Sequence, residues 1–171
     1  MKRAADRKTA MIGGILVGIH LRTVAPDESE KLCDMQQLAF RALLDKYHDY
    51  NTNPGVESLM VIEQRLGFDD IDHYWIQFDT IDIGYIRITR QESGVCRLSR
   101  MFILPEFQGK GYAQQALKQA ESRYPQTQRW ELDTIKQEIK LCHLYEKMGY
   151  RRTGDEHSIQ EGMDLVDYVK P

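Results

Sequence analysis

The chain has no block of like charge, no long hydrophobic run, no repeat and no low-complexity stretch, and its 171 residues include just three cysteines. Each shortage excludes something. Lys, Arg, Asp and Glu make up 29% of the residues in mixed order with a formal charge of −3, so there is no basic stripe to neutralise a phosphate backbone, and nucleic acid is excluded as a partner. Cys33, Cys96 and Cys142 are odd in number and far apart in apolar segments. They suit neither a disulfide framework nor a zinc knuckle, and read as reduced, buried thiols of a cytoplasmic protein. The longest apolar run, the nine residues from Met11 to Ile19, has the length of a signal-peptide core and is too short to span a bilayer, so no membrane association is expected. It comes after the basic start "MKRAADRK" but precedes no small-x-small cleavage pattern. Residues 1–18 are therefore set apart as an extension of uncertain status, whether leader, appended remnant or extra piece before the first strand, and residues 19–171 are read as one domain, with 42% hydrophobic residues to form its core.

The pattern along the domain alternates in kind. Ile19 to Val24 suits a first strand stopped by Pro26, and Asp27 with Glu30 three residues on suits a capping box. Leu32, Met35, Leu38, Ala39, Ala42 and Leu43 then recur at helical spacing, until Asn53-Pro54-Gly55 breaks the chain. A shorter helix is predicted from Glu57 to Leu66. "HYWIQFD", "IDIGYIRITRQ" and "VCRLSRMFIL" read as three consecutive antiparallel strands. A helix from Gly111 (Ala113, Ala116, Leu117, Ala120), the strand "RWELDTI", a helix "EIKLCHLYEKM" closed by Gly149 and a final hairpin through Glu161-Gly162 complete the order. The class predicted is α+β: a mixed, mostly antiparallel sheet of about seven strands flanked by about four helices, with one parallel pair where a strand-helix-strand crossover comes after the meander.

The segment "PEFQGKGYA" carries the chemistry. A helix start leaves backbone N–H groups without partners, and a glycine turn just before it lets an anionic ligand reach them. Gly109 and Gly111 provide that turn, Lys110 a cation and Gln108 an amide donor. The loop is neither a P-loop, lacking the longer glycine loop and the Lys-Ser or Lys-Thr pair, nor the three-glycine dinucleotide fingerprint. By itself it is compatible with a plain strand-to-helix turn.

Together with "LYEKMGYRRTG", however, "FILPEFQGKGYAQQAL" resembles the paired signature of the Gcn5-related N-acetyltransferase (GNAT) family. Gln108, Gly111 and Ala113 stand at the positions of its Gln-x-x-Gly-x-Ala pyrophosphate loop, and Leu144 to Tyr150 match its later helix and the strand after it. The resemblance covers residues 98–153, and the element order fits from about residue 19 to the end. It implies transfer of an acetyl group from acetyl-CoA, as co-substrate, to a primary amine of a small molecule or peptide, by direct attack and without a metal. It further implies that the strand bearing Phe102 and Ile103 splays from "RWELDTI" to admit the pantetheine arm, that Gln108, Gly109, Lys110, Gly111, Tyr112 and Ala113 hold the pyrophosphate, and that Tyr145 protonates the leaving thiolate. A core tyrosine with a satisfied hydroxyl is the alternative for Tyr145.

The general base is open. Arg97, with Ser99 beyond it, occupies the place where many members carry a glutamate. Glu131 and Asp133 alternate around Leu132 and so share one face of their strand, where they serve either as base and amine grip or as a solvated surface. Glu138 stands where the family often has asparagine, and His48, His73 and His143 read as surface or core residues rather than bases. The acceptor pocket implied by the family involves the loop "KYHDYNTNPGVES", with Tyr47, Tyr50, Asn51, Asn53 and Glu57. A non-catalytic module that binds CoA or a partner on the same fold is the rival reading, and a homodimer is left open.

Overall fold

A computed structural model of the chain describes residues 10–12 and 15–171. Residues 1–9 and 13–14 lie outside the described residues; β1 (Ala10–Ile12) and β2 (Ile15–Val17) pair as a two-stranded antiparallel hairpin apart from the main sheet. The main sheet comprises β3 (Ile19–Thr23), β4 (Ile71–Phe78), β5 (Ile81–Arg90), β6 (Val95–Ile103), β7 (Arg129–Ile135), β8 (Arg151–Gln160) and β9 (Met163–Lys170), in the order β3-β4-β5-β6-β7-β9-β8. Only β6 and β7 are parallel, as the crossover through α3 (Tyr112–Ser122) requires. The remaining helices are α1 (Ser29–Tyr47), α2 (Leu59–Leu66) and α4 (Ile139–Lys147), so the described architecture is the seven-stranded α+β arrangement with four helices that the pattern predicts. Among the described residues, no helix is long and apolar enough to cross a membrane.

The sheet separates two cores. One face packs α3 and α4 over Ile86, Ile88, Leu117, Leu132 and Tyr168; the other packs α1 and α2 over Trp75, Tyr85 and Phe102. α3 presents Ala116, Leu117 and Ala120 to its core, all fully buried, with Ala113, the other apolar position read from the sequence, partly buried beside them. α1 departs from its predicted face in one respect. Leu38 is 56% exposed, whereas Gln36 is buried because its amide bonds the Pro54 carbonyl at 2.7 Å and the Glu57 carboxylate at 3.0 Å. The start of α1 also differs from the expected capping box. Glu28 folds back to accept from the Ala25 N–H at 2.8 Å while bound by Arg22, so neither Asp27 nor Glu30 is needed there.

Two local irregularities shape the end of β6. The β5–β6 register shifts between Arg87↔Arg100 and Ile88↔Leu98, leaving Ser99 as the extra residue of a β-bulge. Cys96 and Leu98, before it, belong to the α3/α4 core; Phe102, of the same parity, belongs to the α1/α2 core. The bulge thus reverses the faces of the last turn of strand. Gly84 pairs with Ile103, and a side chain there would overlap the Phe102 carbonyl oxygen and come within 3.1 Å of Ile103 Cα, so glycine is required for β6 to lie this close.

All three cysteines are free and buried.

Candidate active site

β6 and β7 pair only from Val95↔Arg129 to Arg97↔Glu131. Beyond that point both strands continue, to Ile103 and Ile135, without bonding one another. The gap left by this divergence leads into a cavity of about 410 Å³, walled by the end of β6 (Met101, Phe102, Ile103), the loop and first turn of α3, α4 (Lys140, Leu141, Leu144, Tyr145) and α1 (Ala39, Phe40, Leu43). Its size is that of an ordinary small-molecule cleft.

The loop end of this cavity is polar through its backbone. Gly109 and Gly111 adopt φ of +75° and +78°, the left-handed region, and nothing lies within 4 Å of where a side chain would point from either. Pro105–Phe107 forms a single 3-10 turn that uses the N–H groups of Phe107 and Gln108; from Gly109 to Gln114 no N–H finds a partner among the described residues, the next bond being Gln115 to the Gly111 carbonyl at 3.3 Å. Unpartnered amides at the positive end of a helix, over open space, make a cradle for an anion. The residues present therefore fit a diphosphate.

Of the residues assigned to the cofactor from the sequence, Phe102, Ile103, Gln108, Gly109, Gly111, Tyr112 and Ala113 border the cavity. Lys110 does not; its ammonium bonds the Glu106 carbonyl at 3.1 Å and lies 5.5 Å from the Phe107 ring centroid. Gln108 spends its amide donor on the Ile103 carbonyl at 2.8 Å, so it closes the strand end and shapes the loop rather than standing free. Tyr112 stacks on Phe78 at 5.1 Å, which fixes the start of α3 against β4.

Tyr145 is 7% exposed and forms part of the cavity wall. Its ring packs edge-on against Tyr150 at 6.1 Å and lies tilted against Tyr168 at 6.3 Å. Those two neighbours have occupied hydroxyls: Tyr150 donates to Glu121 at 2.9 Å, and Tyr168 donates to Glu146 at 2.8 Å. The Tyr145 hydroxyl has no partner among the described residues. Burial, reinforced by the nearby Asp133 charge, pushes its pKa well above the ordinary phenol value, so the group stays protonated.

Glu131 and Asp133 share a face of β7, as their alternation predicts, and it is the face toward α1 and α2, opposite the Leu132 side. Neither borders the cavity. Both meet Arg97: its guanidinium bonds Asp133 and lies 4.0 Å from Glu131, which also pairs with Arg129 at 2.5 Å. A cation at the expected glutamate position is thus answered by two carboxylates on the neighbouring strand. Asp133 lies two residues past the last β6–β7 pair, at the opening of the gap, and is cross-strand partner to Asp167 of β9.

Glu138 is engaged elsewhere. Burial alone would raise its pKa, but the Lys46 ammonium at 2.5 Å and the Tyr47 hydroxyl at 2.6 Å outweigh that and hold it below the usual carboxylate value. The pair ties the end of α1 to the start of α4. In the α1–α2 loop, Asn53 caps the Gly55 N–H at 2.7 Å and Glu57 is bound by Arg100, Arg65 and Gln36, while Tyr50 remains 65% exposed. His48 closes α1 in a left-handed conformation, His143 is exposed, and His73 is buried between the Tyr85 hydroxyl at 2.7 Å and the Arg65 carbonyl at 3.1 Å. The α1 wall, Ala39, Phe40 and Leu43, shows only helical spacing in the sequence and carries no mark of a site; in the structure Phe40 meets Phe102 edge-on at 5.8 Å.

The family model described as "Acetyltransferase (GNAT) domain" matches residues 42–171. The chain belongs to the GNAT acetyltransferase family. As a member it is an acetyl-CoA-dependent N-acetyltransferase. No curated protein matches it in sequence. Solved structures of similar fold include an acetyltransferase from Thermus thermophilus (18% identity, TM-score 0.71, covering 91% of this chain and 97% of that one). A spermidine N-acetyltransferase from Vibrio cholerae, in complex with CoA and spermine, aligns at 16% identity and TM-score 0.70 over 89% of this chain and 94% of its own. The ribosomal-protein-S18-alanine N-acetyltransferase of Escherichia coli aligns at 11% identity and TM-score 0.71 over 90% and 93%. These likenesses concern the GNAT fold, and the residues of the cleft are this chain's own.

Proposed function

We propose that this GNAT protein acetylates the primary amine of a small molecule or peptide by direct attack on acetyl-CoA held in the β6–β7 cleft, with Tyr145 as general acid and Asp133 as the carboxylate that prepares the amine. The observation that carries the reading is the row of unpartnered N–H groups from Gly109 to Gln114 at one end of an otherwise largely apolar cavity whose wall also holds the unpartnered Tyr145 hydroxyl. The amides receive the diphosphate, and the hydrocarbon wall of Phe102, Leu141 and Leu144 takes the pantetheine arm and keeps bulk water from the thioester.

Attack requires a neutral amine, so an ammonium arriving at the cleft must first give up a proton. Asp133, at the opening of the gap, is better placed for this than Glu131, which sits within the paired part of the strands and shares two arginines. Asp133 is already ion-paired to Arg97, so it acts through a held water or as an electrostatic grip on the amine. When the tetrahedral intermediate collapses, the C–S bond breaks and the electron pair leaves on sulfur. Tyr145 supplies the proton that makes the free thiol. Acceptors named for similar structures, spermidine in one and a ribosomal-protein alanine in another, are amines in both cases, in keeping with this chemistry.

The test combines calorimetric titration with CoA and thiol release from acetyl-CoA across a panel of amines, with Asp133→Asn alongside the wild type. The expected result is CoA uptake, amine-dependent thiol release, and a fall in kcat for Asp133→Asn that is largest at low pH, where the amine is most protonated. CoA uptake without thiol release to any amine would favour a non-catalytic module instead; no uptake by the folded protein would remove the reading altogether.

A further inference from the structure

The sheet face beneath α1 and α2 contains more positive charge than it pairs. Arg87 of β5 and Arg100 of β6 are direct cross-strand partners, a position in which like charges repel. Arg65 of α2 reaches the same place, and Glu57 bonds both Arg100 at 2.7 Å and Arg65 at 3.0 Å. No carboxylate among the described residues pairs with Arg87. Arg87 is just 9% exposed, its Nε is shut off from solvent with no hydrogen-bond partner, and its guanidinium bonds no described residue.

Its other cross-strand neighbour gives no relief. That neighbour is His73, whose ring nitrogens are taken by Tyr85 and the Arg65 carbonyl, and which burial keeps neutral with a pKa lowered to about 4. Burial, with Arg100 and Arg65 adding to it, lowers the Arg87 pKa to about 10, which leaves the group charged at neutral pH. Glu57 acts on Arg87 only at a distance, and a largely buried guanidinium with no anion bonded to it is costly to a fold unless an anion arrives from outside. Its planar fork suits an oxyanion, taken bidentately.

The place of this pair relative to the cleft says which oxyanion. Arg100 precedes Phe102 by two residues on the same face of β6, about 7 Å along the strand. Gln36, which holds Arg100 at 3.1 Å, lies one helical turn before Phe40 of the cavity wall. We infer that Arg87 and Arg100 anchor a carboxylate carried by the acceptor, so that the preferred acceptor is an amino-acid-like amine with a negative group beside it and not a polyamine. The inference rests on the acetyl-transfer reading above, but the anion site can be tested without turnover.

Two arms decide it. In the first, thermal unfolding of wild type and Arg87→Met is followed in acetate or inorganic phosphate against chloride at equal ionic strength. Wild type should gain several degrees in Tm from the oxyanions; Arg87→Met should gain none, and in chloride it should melt no lower than wild type, because an unpaired buried charge has been removed. In the second, thiol release is measured with amino acids, their carboxamides and spermidine. The carboxylates should exceed the carboxamides in kcat/KM by at least tenfold, through KM, and that ratio should collapse in Arg87→Met and in Arg87→Lys, which keeps the charge but loses the fork. Equal Tm shifts in wild type and Arg87→Met, or none in either, overturn the anion site. Oxyanion stabilisation without a carboxylate preference assigns the site to a free anion and overturns the acceptor assignment. A protein that binds CoA but releases no thiol refutes the acetyl-transfer reading, while the first arm still decides the arginine pair.

Discussion

Tyr145, Tyr150 and Tyr168 lie ring against ring at the cleft, and their hydroxyls differ in what they meet. Glu121 and Glu146 take two of them, and the third faces the cavity wall region with no protein acceptor. A tyrosine kept for packing alone would need no hydroxyl at this position. Because burial raises its pKa, Tyr145 cannot serve as a base near neutral pH, and can only donate. A thiolate has a reference pKa of about 8.5 in water, so transfer from a raised phenol is uphill until the sulfur, in the same apolar wall, is equally short of water. Tyr145→Phe should therefore leave folding stability within about 0.5 kcal/mol of wild type. It should lower kcat by about 10²-fold, with the Kd for CoA within about twofold. Denaturant unfolding, thiol-release kinetics and calorimetry on the same preparation check the three parts, and an unchanged kcat would take Tyr145 out of the mechanism.

The elements were largely legible before the structure because most of them obey one period each. Ala113, Ala116, Leu117 and Ala120 mark α3, and "HYWIQFD" with "IDIGYIRITRQ" marks a hairpin, since few alternatives bury those residues. Deviations within an element were hidden for the same reason. Ser99 looks like one more polar residue in an alternating strand, yet it is the bulge that turns Phe102 toward α1 and leaves Arg100 facing Arg87. Gln36 and Leu38 exchange their expected places because the partners that satisfy Gln36, Pro54 and Glu57, come from a turn some twenty residues further on, which no local pattern displays. The glycine turn before α3 is visible in the sequence, its glycines being required by positive φ, whereas the α1 wall of the cavity is not. Gly84 shows how one such element-level feature can be tested. In Gly84→Ala the new methyl overlaps the Phe102 carbonyl and must push the end of β6 away from β5. The cost expected is about 1–3 kcal/mol of stability, together with at least a tenfold weaker CoA affinity, since the displaced strand end is a wall of the cleft. Urea unfolding and CoA titration measure both, and a variant that loses stability while keeping its affinity would show that the strand end does not shape the site.

At the scale of the molecule, α1, α2 and the sheet are joined by one largely buried polar group of residues, and its protonation couples this face of the sheet to folding. His73 has its folded pKa lowered from 6.5 to about 4, chiefly by burial. Glu57 would be raised by burial, but Arg65, Arg100 and Gln36 prevail and bring it from 4.5 to about 2. In both cases the unfolded chain takes up the proton first as the pH falls. The neutral imidazole therefore stabilises the fold fully above about pH 6.5 and loses that contribution toward pH 4; the Glu57 carboxylate stabilises it fully above about pH 4.5 and loses that toward pH 2. Each proton contributes a slope of at most about 1.4 kcal/mol per pH unit. Stability should thus begin to fall just below neutrality, before ordinary carboxylates titrate, and fall again in a second stage below pH 4.5. His73→Gln, which can still bond Tyr85 and the Arg65 carbonyl, should abolish the first stage and leave the second. Urea midpoints measured from pH 8 to pH 3 distinguish the two, and a wild-type profile flat between pH 6.5 and pH 4.5 would mean that His73 is not the group through which this face of the sheet senses acid.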